Sequence, residues 1–189
     1  MSEVSKQINR DFTDLDHHIF FLRLGSENYQ EVLSELMSFL NQRKGLPGIY
    51  VTVSKPYKSV KEEFEKKGID LRKIIFIDAI TSLAANEPKK KEYCFCVGSP
   101  QDLTGISIAT IEAISSLGQI EKYVVLDSLS ILSVHNSPVS VAKFAHFLIS
   151  KMRLMNVCGI IIALETDASN DILNQIIPLS DKLVKMGGA

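Results

Sequence analysis

Tyr123-Val-Val-Leu-Asp-Ser-Leu-Ser130 carries the strongest fold signal in the chain. An unbroken run of strand length ends in a single acid, Asp127, with Ser128 behind it, so the segment reads as a buried parallel strand that delivers one carboxylate to its C-terminal end. Outward from it the same unit recurs. Ile19 to Leu24, Ile49 to Val53, Ile74 to Asp78, Tyr93 to Val97, Gly159 to Leu164 and Lys182 to Met186 are short apolar strand runs. Between them, 29–43 carries apolar residues at Val32, Leu33, Leu36, Met37, Phe39 and Leu40, a helical spacing, and 59–67, 103–117, 139–155 and 170–177 also read as helices. Gly45-Leu-Pro-Gly48, Pro56 and Gly68 punctuate the alternation. The predicted class is α/β, with a mainly parallel central sheet and helices on both faces.

Length and charge narrow the function classes. At 189 residues with 46% hydrophobic content, the chain supports one core and one domain, assigned to residues 17–189, behind a polar N-terminal arm over 1–16 expected to be loose or to form a short packing segment. Twenty-one basic against 22 acidic residues leave no net field toward nucleic acid or an anionic membrane. The longest apolar runs, such as Cys158 to Leu164, are far too short to span a bilayer, and the N-terminus with Lys6 and Arg10 does not read as a signal peptide, so a soluble cytoplasmic protein is expected. Cys94 and Cys96 fall on one face of a strand, and with Cys158 they read as small core hydrophobes rather than metal ligands. The lysine triplet Lys89, Lys90 and Lys91 reads as part of a solvated loop over 81–92, and the four histidines show no metal spacing, His135 being placed on a loop.

In a parallel sheet ligands sit beyond the C-terminal strand ends, here Leu24, Val53, Asp78, Asp127 and Leu164. Gly48-Ile-Tyr-Val-Thr-Val53, Lys67-Gly-Ile-Asp-Leu71, Lys73 to Ala79, Tyr123 to Ser130, Cys158 to Glu165 and Leu179 to Val184 together resemble, in order and spacing, the RecA/KaiC branch of P-loop ATPases. More narrowly they resemble small archaeal KaiC-like proteins whose phosphate loop is lost. The resemblance implies a three-layer RecA/KaiC-like domain and makes self-association an expectation.

The chemistry carries over unevenly. A phosphate loop needs glycines that let backbone N–H groups surround phosphate, a lysine for the outer phosphates and a hydroxyl for magnesium. Gly25-Ser-Glu-Asn-Tyr29 has one glycine and no lysine, and Glu27 brings the wrong charge. The missing lysine alone forfeits a charge-assisted contact worth roughly 1.5–3 kcal/mol. Without the family, Ser26 or Asn28 is a helix N-cap. After Val53, where the resemblance implies an acidic pair that activates water, the chain has Ser54 and Lys55; a lysine ammonium has no lone pair to take a proton. Asp127 and Ser128 are retained, as a magnesium-holding pair under the family reading or as organisers of the sheet end, and Glu165 either approaches the same crevice or caps the next helix.

The expectation is therefore a non-catalytic KaiC-like domain, without a cofactor, that works through a protein partner or by homo-oligomerisation. The alternative is a diverged nucleotide-binding protein or slow ATPase that places Mg-ATP against Gly25, Ser26, Asn28, Lys55, Asp127, Ser128 and Glu165, with Asp127 the metal contact and Lys55 the phosphate-binding charge. A receiver-like phosphoacceptor matches only at Asp78.

Overall fold

The structure, a computed structural model, describes residues 2–16, 18–81, 90–91, 93–165 and 170–187. His17, Lys89 and most of the 81–92 connection lie outside the described residues. Eight strands form one sheet: β1 (Ile19–Leu24), β2 (Gly48–Thr52), β3 (Ile74–Asp78), β4 (Lys90–Lys91), β5 (Cys94–Cys96), β6 (Tyr123–Asp127), β7 (Cys158–Leu164) and β8 (Lys182–Met186), in the order β4-β5-β3-β2-β6-β7-β1-β8. All neighbours pair in parallel except the edge pair β4 and β5, so the other strands end on one side of the sheet. Within that sheet Thr52 stands opposite Asp127 on one side and Asp78 on the other.

Helices α1 (Glu3–Asp11), α2 (Tyr29–Ser38) and α3 (Tyr57–Lys66) cover one face; α4 (Leu103–Ser116), α5 (Leu129–His135), α6 (Pro138–Leu154) and α7 (Asn170–Ile176) cover the other. Two cores follow from strand alternation. Phe20, Leu22, Tyr50, Phe76, Tyr123 and Val125 point to the α1–α3 side, and Phe21, Ile49, Val51, Val124 and Leu126 to the α4–α7 side. The central strands β1, β2, β6 and β7 bury both faces, which is why they read as continuous apolar runs, whereas the edge strand β8 buries only Val184 and Met186.

Three features differ from the sequence reading. Residues 3–11 form a regular helix, N-capped by Ser2, which docks Ile8 into the α1–α3 core, and Phe12 just beyond it is buried there too. Val4, Ile8 and Phe12 recur every four residues, a helical spacing that the sequence reading passed over among their polar neighbours, and packing of that stripe stabilises the helix. Residues 129–135 form the short α5, and His135 is its last residue rather than part of a loop; Leu129 and Leu132, one turn apart, hold it on the core. The helix begun at Tyr29 ends in a π-helical turn, Phe39–Arg43. Cys94 and Cys96 do share a face, against the α1–α3 core.

Candidate functional site

Alternation along β6 turns Asp127 to the same side as Tyr123 and Val125, under the start of α2. There it is 2% exposed, and both carboxylate oxygens are engaged: the Tyr29 hydroxyl donates to Oδ1 and the Tyr50 hydroxyl to Oδ2. Tyr29 is the first residue of α2 and Tyr50 the middle of β2, whose register with β6 brings them together. The Tyr50 ring is fixed edge-on against Phe64, centroids 5.2 Å apart, and lies 6.0 Å from Phe76. Burial pushes the Asp127 carboxyl above its ordinary value, while the two phenol donors and the charge of Lys55 pull it down. Burial and then the facing carboxylate push both phenols well above 10.0, so they remain donors. The Ser128 hydroxyl is buried without a hydrogen-bond partner among the described residues.

The β1–α2 turn is short and closed by β8. The Gly25 amide donates to the Met186 carbonyl at 3.2 Å and the Asn28 amide to the Gly25 carbonyl at 3.3 Å. Of the two residues read as the helix N-cap, Asn28 holds that position, without a side-chain cap bond, and Ser26 is exposed outside it. Gly187, at φ +79°, lies against Asn28 so closely that a Cβ would come within 2.8 Å of its amide nitrogen.

Lys55 sits beside this cluster in an ion pair with Glu63 of α3, Nζ to Oε1 at 2.6 Å. The Gln30 amide, in the orientation that satisfies both partners, accepts from Lys55 Nζ at 2.5 Å and donates to Glu63 Oε2 at 3.1 Å. Thr52 Oγ1 accepts from the Lys55 amide and donates to its carbonyl, which fixes the turn. Glu165 pairs with Arg23 of β1 at 3.3 Å, and its amide donates to the Leu24 carbonyl. The structure thus brings Asp127 together with Tyr29 and Tyr50 and sets Lys55 nearby, whereas Glu165 is tied to Arg23.

Asp78 organises the adjacent loops. Its carboxylate accepts from the amides of Tyr57 (2.7 Å), Ile80 (2.7 Å) and Thr81 (2.9 Å) and from the Thr81 hydroxyl. The ligand atoms of Asp78, Cys94 and Cys96 lie within 4.8 Å of one another, but these four donors already take the carboxylate's lone pairs.

Tyr29, Tyr50, Glu63 and Arg23 were not singled out from sequence. The available signals were a tyrosine where the turn enters the helix and a polar-tipped ring in the middle of the buried strand β2.

No helix among the described residues is long and apolar enough to cross a membrane. No curated protein matches the chain. Among the solved structures that share its fold are two from Pyrococcus horikoshii. The KaiC-like protein PH0186 from the hyperthermophilic archaeon Pyrococcus horikoshii OT3 has a TM-score of 0.66 at 11% identity, over 90% of this chain and 71% of that one. The uncharacterized protein PH0321 from Pyrococcus horikoshii, solved in complex with an unknown peptide, has a TM-score of 0.71 at 12% identity, over 97% of this chain and 83% of that one. A family model described as the ATPase KaiC matches residues 36–185, most of the chain; together with the three-layer α/β fold, this places the protein in the KaiC family.

Proposed function

We propose that this KaiC-family domain does not hydrolyse nucleotide and acts by binding protein. One observation carries the reading: the Asp127 carboxylate, the acid the family fold presents to a magnesium–nucleotide group, is buried, and each of its oxygens already accepts a hydrogen bond, from Tyr29 and from Tyr50. A magnesium ion held through water needs those oxygens accessible. The other residues do not fit the group either. Ser26 offers an exposed hydroxyl without a glycine-rich cradle or a lysine, and Lys55 is neutralised by Glu63. Holding two phenols on one carboxylate replaces a ligand site with a fixed internal contact, and that suits a domain whose work is done on its surface. That PH0321, of the same fold, was solved with a peptide bound supports a partner-binding role for such a scaffold.

Calorimetric titration with Mg-ATP, alongside a phosphate-release assay, tests this. No heat and no phosphate at millimolar nucleotide is the expected result. Micromolar binding that is lost in Asp127→Ala overturns it and restores the slow-ATPase reading with Asp127 and Lys55.

A further inference from the structure

The outer faces of α4 and α6 do not look like helix surfaces made for water. A solvent-facing helix normally carries charges on its exposed stripe, yet among the fourteen residues of α4 the single charged one is Glu112. Ile108 of α4 is 53% exposed, and Phe147 of α6 is 43% exposed. Between the two helices runs a groove of about 440 Å³, walled by Leu103, Ile108, Ile111 and Phe147 and floored by Phe144.

The groove carries one sign of charge. Among the described residues the only charged side chain that lines it is Lys143, exposed on α6. Lys143, Phe147 and Lys151 follow one another every four residues and form one stripe, with the Lys151 ammonium 5.6 Å from the Phe147 ring centroid. Neither lysine meets a carboxylate among the described residues. Glu112, the sole acid on the two helices, does not line the groove. An apolar floor is thus bordered on the α6 side by two cations without counter-charges, a surface that attracts acids and repels a basic partner.

The dimensions set the form of the occupant. From Leu103 to Ile111 along α4, and from Ser140 to Phe147 along α6, the walls run about 10–12 Å at about 1.5 Å per residue. A helix covers that same distance from i to i+7, which sets three apolar side chains on one face at i, i+4 and i+7. A volume of about 440 Å³ is that of a site for a few side chains rather than for a broad protein face. We propose that the groove between α4 and α6 receives an acidic amphipathic helix of a partner protein, its apolar stripe seated between Ile108 and Phe147 and its Asp or Glu residues along Lys143 and Lys151. The lysine stems and the Phe147 ring cover the partner's apolar residues while the ammonium groups meet its carboxylates. The inference deepens the reading of a domain that works through protein contacts, yet the two fail separately: Mg-ATP binding would overturn that reading, whereas peptide binding reads the groove alone.

Selection by the full chain from a displayed library of randomised peptides of about 18 residues, long enough to hold a helix, is the test. The recovered peptides should carry large apolar residues at i, i+4 and i+7 with Asp or Glu beside them, and bind in fluorescence anisotropy with a dissociation constant below about 100 μM. Replacing their acids by lysine should weaken binding at least about 10-fold, and Lys143→Glu should shrink or reverse that preference. Phe147→Ala, and independently Ile108→Ser, should each raise the dissociation constant at least about 10-fold while leaving the circular dichroism spectrum unchanged. Four results overturn the proposal: no peptide recovered; recovered peptides that are uncharged or basic; acidic peptides whose binding ignores both apolar variants; or a chain that sediments as a dimer without peptide and as a monomer with Ile108→Ser, which gives the groove to a second copy.

Discussion

Replacing Tyr50 by phenylalanine removes one oxygen from the centre of the molecule and tests the Asp127 cluster directly. The ring keeps its contacts with Phe64 and Phe76, so packing changes little. What is lost is the donor to Asp127 Oδ2, on a carboxylate that is 2% exposed. A hydrogen bond to a charged acceptor is worth about 1.5–3 kcal/mol, and no solvent replaces it here. For a domain of this size that loss lowers Tm by about 3–12 °C. The cost should also depend on pH. The folded Asp127 carboxyl already titrates above its ordinary value because of burial, and the Tyr50 hydroxyl is one of the groups that pull it down. Without it the folded carboxyl binds its proton more tightly still. A group whose pKa is raised on folding stabilises the protonated protein, and that contribution fades as pH rises through the folded pKa. Tyr50→Phe should therefore cost more at about pH 8 than at about pH 5, in urea unfolding followed by circular dichroism. Adding Asp127→Asn should leave less than the sum of the single effects. A loss below about 0.5 kcal/mol, or the same loss at both pH values, would show that the Tyr50 hydroxyl does not hold an ionised Asp127.

Three further outcomes are expected. Tyr29, Tyr50 and Tyr123, three of the five tyrosines, have phenols raised above 10.0 chiefly by burial; their contribution to stability is complete below about pH 10 and lost above it, so phenolate absorbance should show these three ionising only together with unfolding. An alkaline titration in which all five ionise in the folded protein contradicts that. A Cβ on Gly48 would lie 2.2 Å from the Tyr123 ring, so Gly48→Ala should cost about 1–3 kcal/mol through overpacking, and an unchanged urea midpoint would deny the close approach. Asp78→Ala orphans three amides and a hydroxyl and should cost about 3 kcal/mol, with Asp78→Asn milder; equal stability of both variants and the parent would show that water replaces the carboxylate.

Much of this molecule is written locally. The apolar runs that became β1, β2, β3, β6 and β7, the helical spacing after Tyr29, the acid closing β6 and the poverty of the Gly25 turn are properties of a few neighbouring residues, and chemistry at that range is legible in a sequence. The shared face of Cys94 and Cys96 followed from the strand period alone. Helix α1 was legible in the spacing of Val4, Ile8 and Phe12, but nine residues make a marginal helix by themselves, and only their contacts with residues far along the chain decide that it forms.

The state of the site belongs to the tertiary structure. Tyr29 and Tyr50 stand 98 and 77 residues from Asp127, and nothing in their own neighbourhoods marks them as its partners. They meet it because β2 pairs with β6 in one register and the first residue of α2 reaches Asp127, and a shift of one residue would turn Tyr50 to the opposite core. Lys55 was legible as a misplaced cation, but only the folded chain sets Glu63 and Gln30 around it. By itself the sequence determined that an acid would stand at the end of a central strand without a phosphate loop beside it. Only the packing of the sheet decided that this acid would be filled from within, because hydrogen-bond partners across a sheet are chosen by register and crossover, which no local pattern encodes.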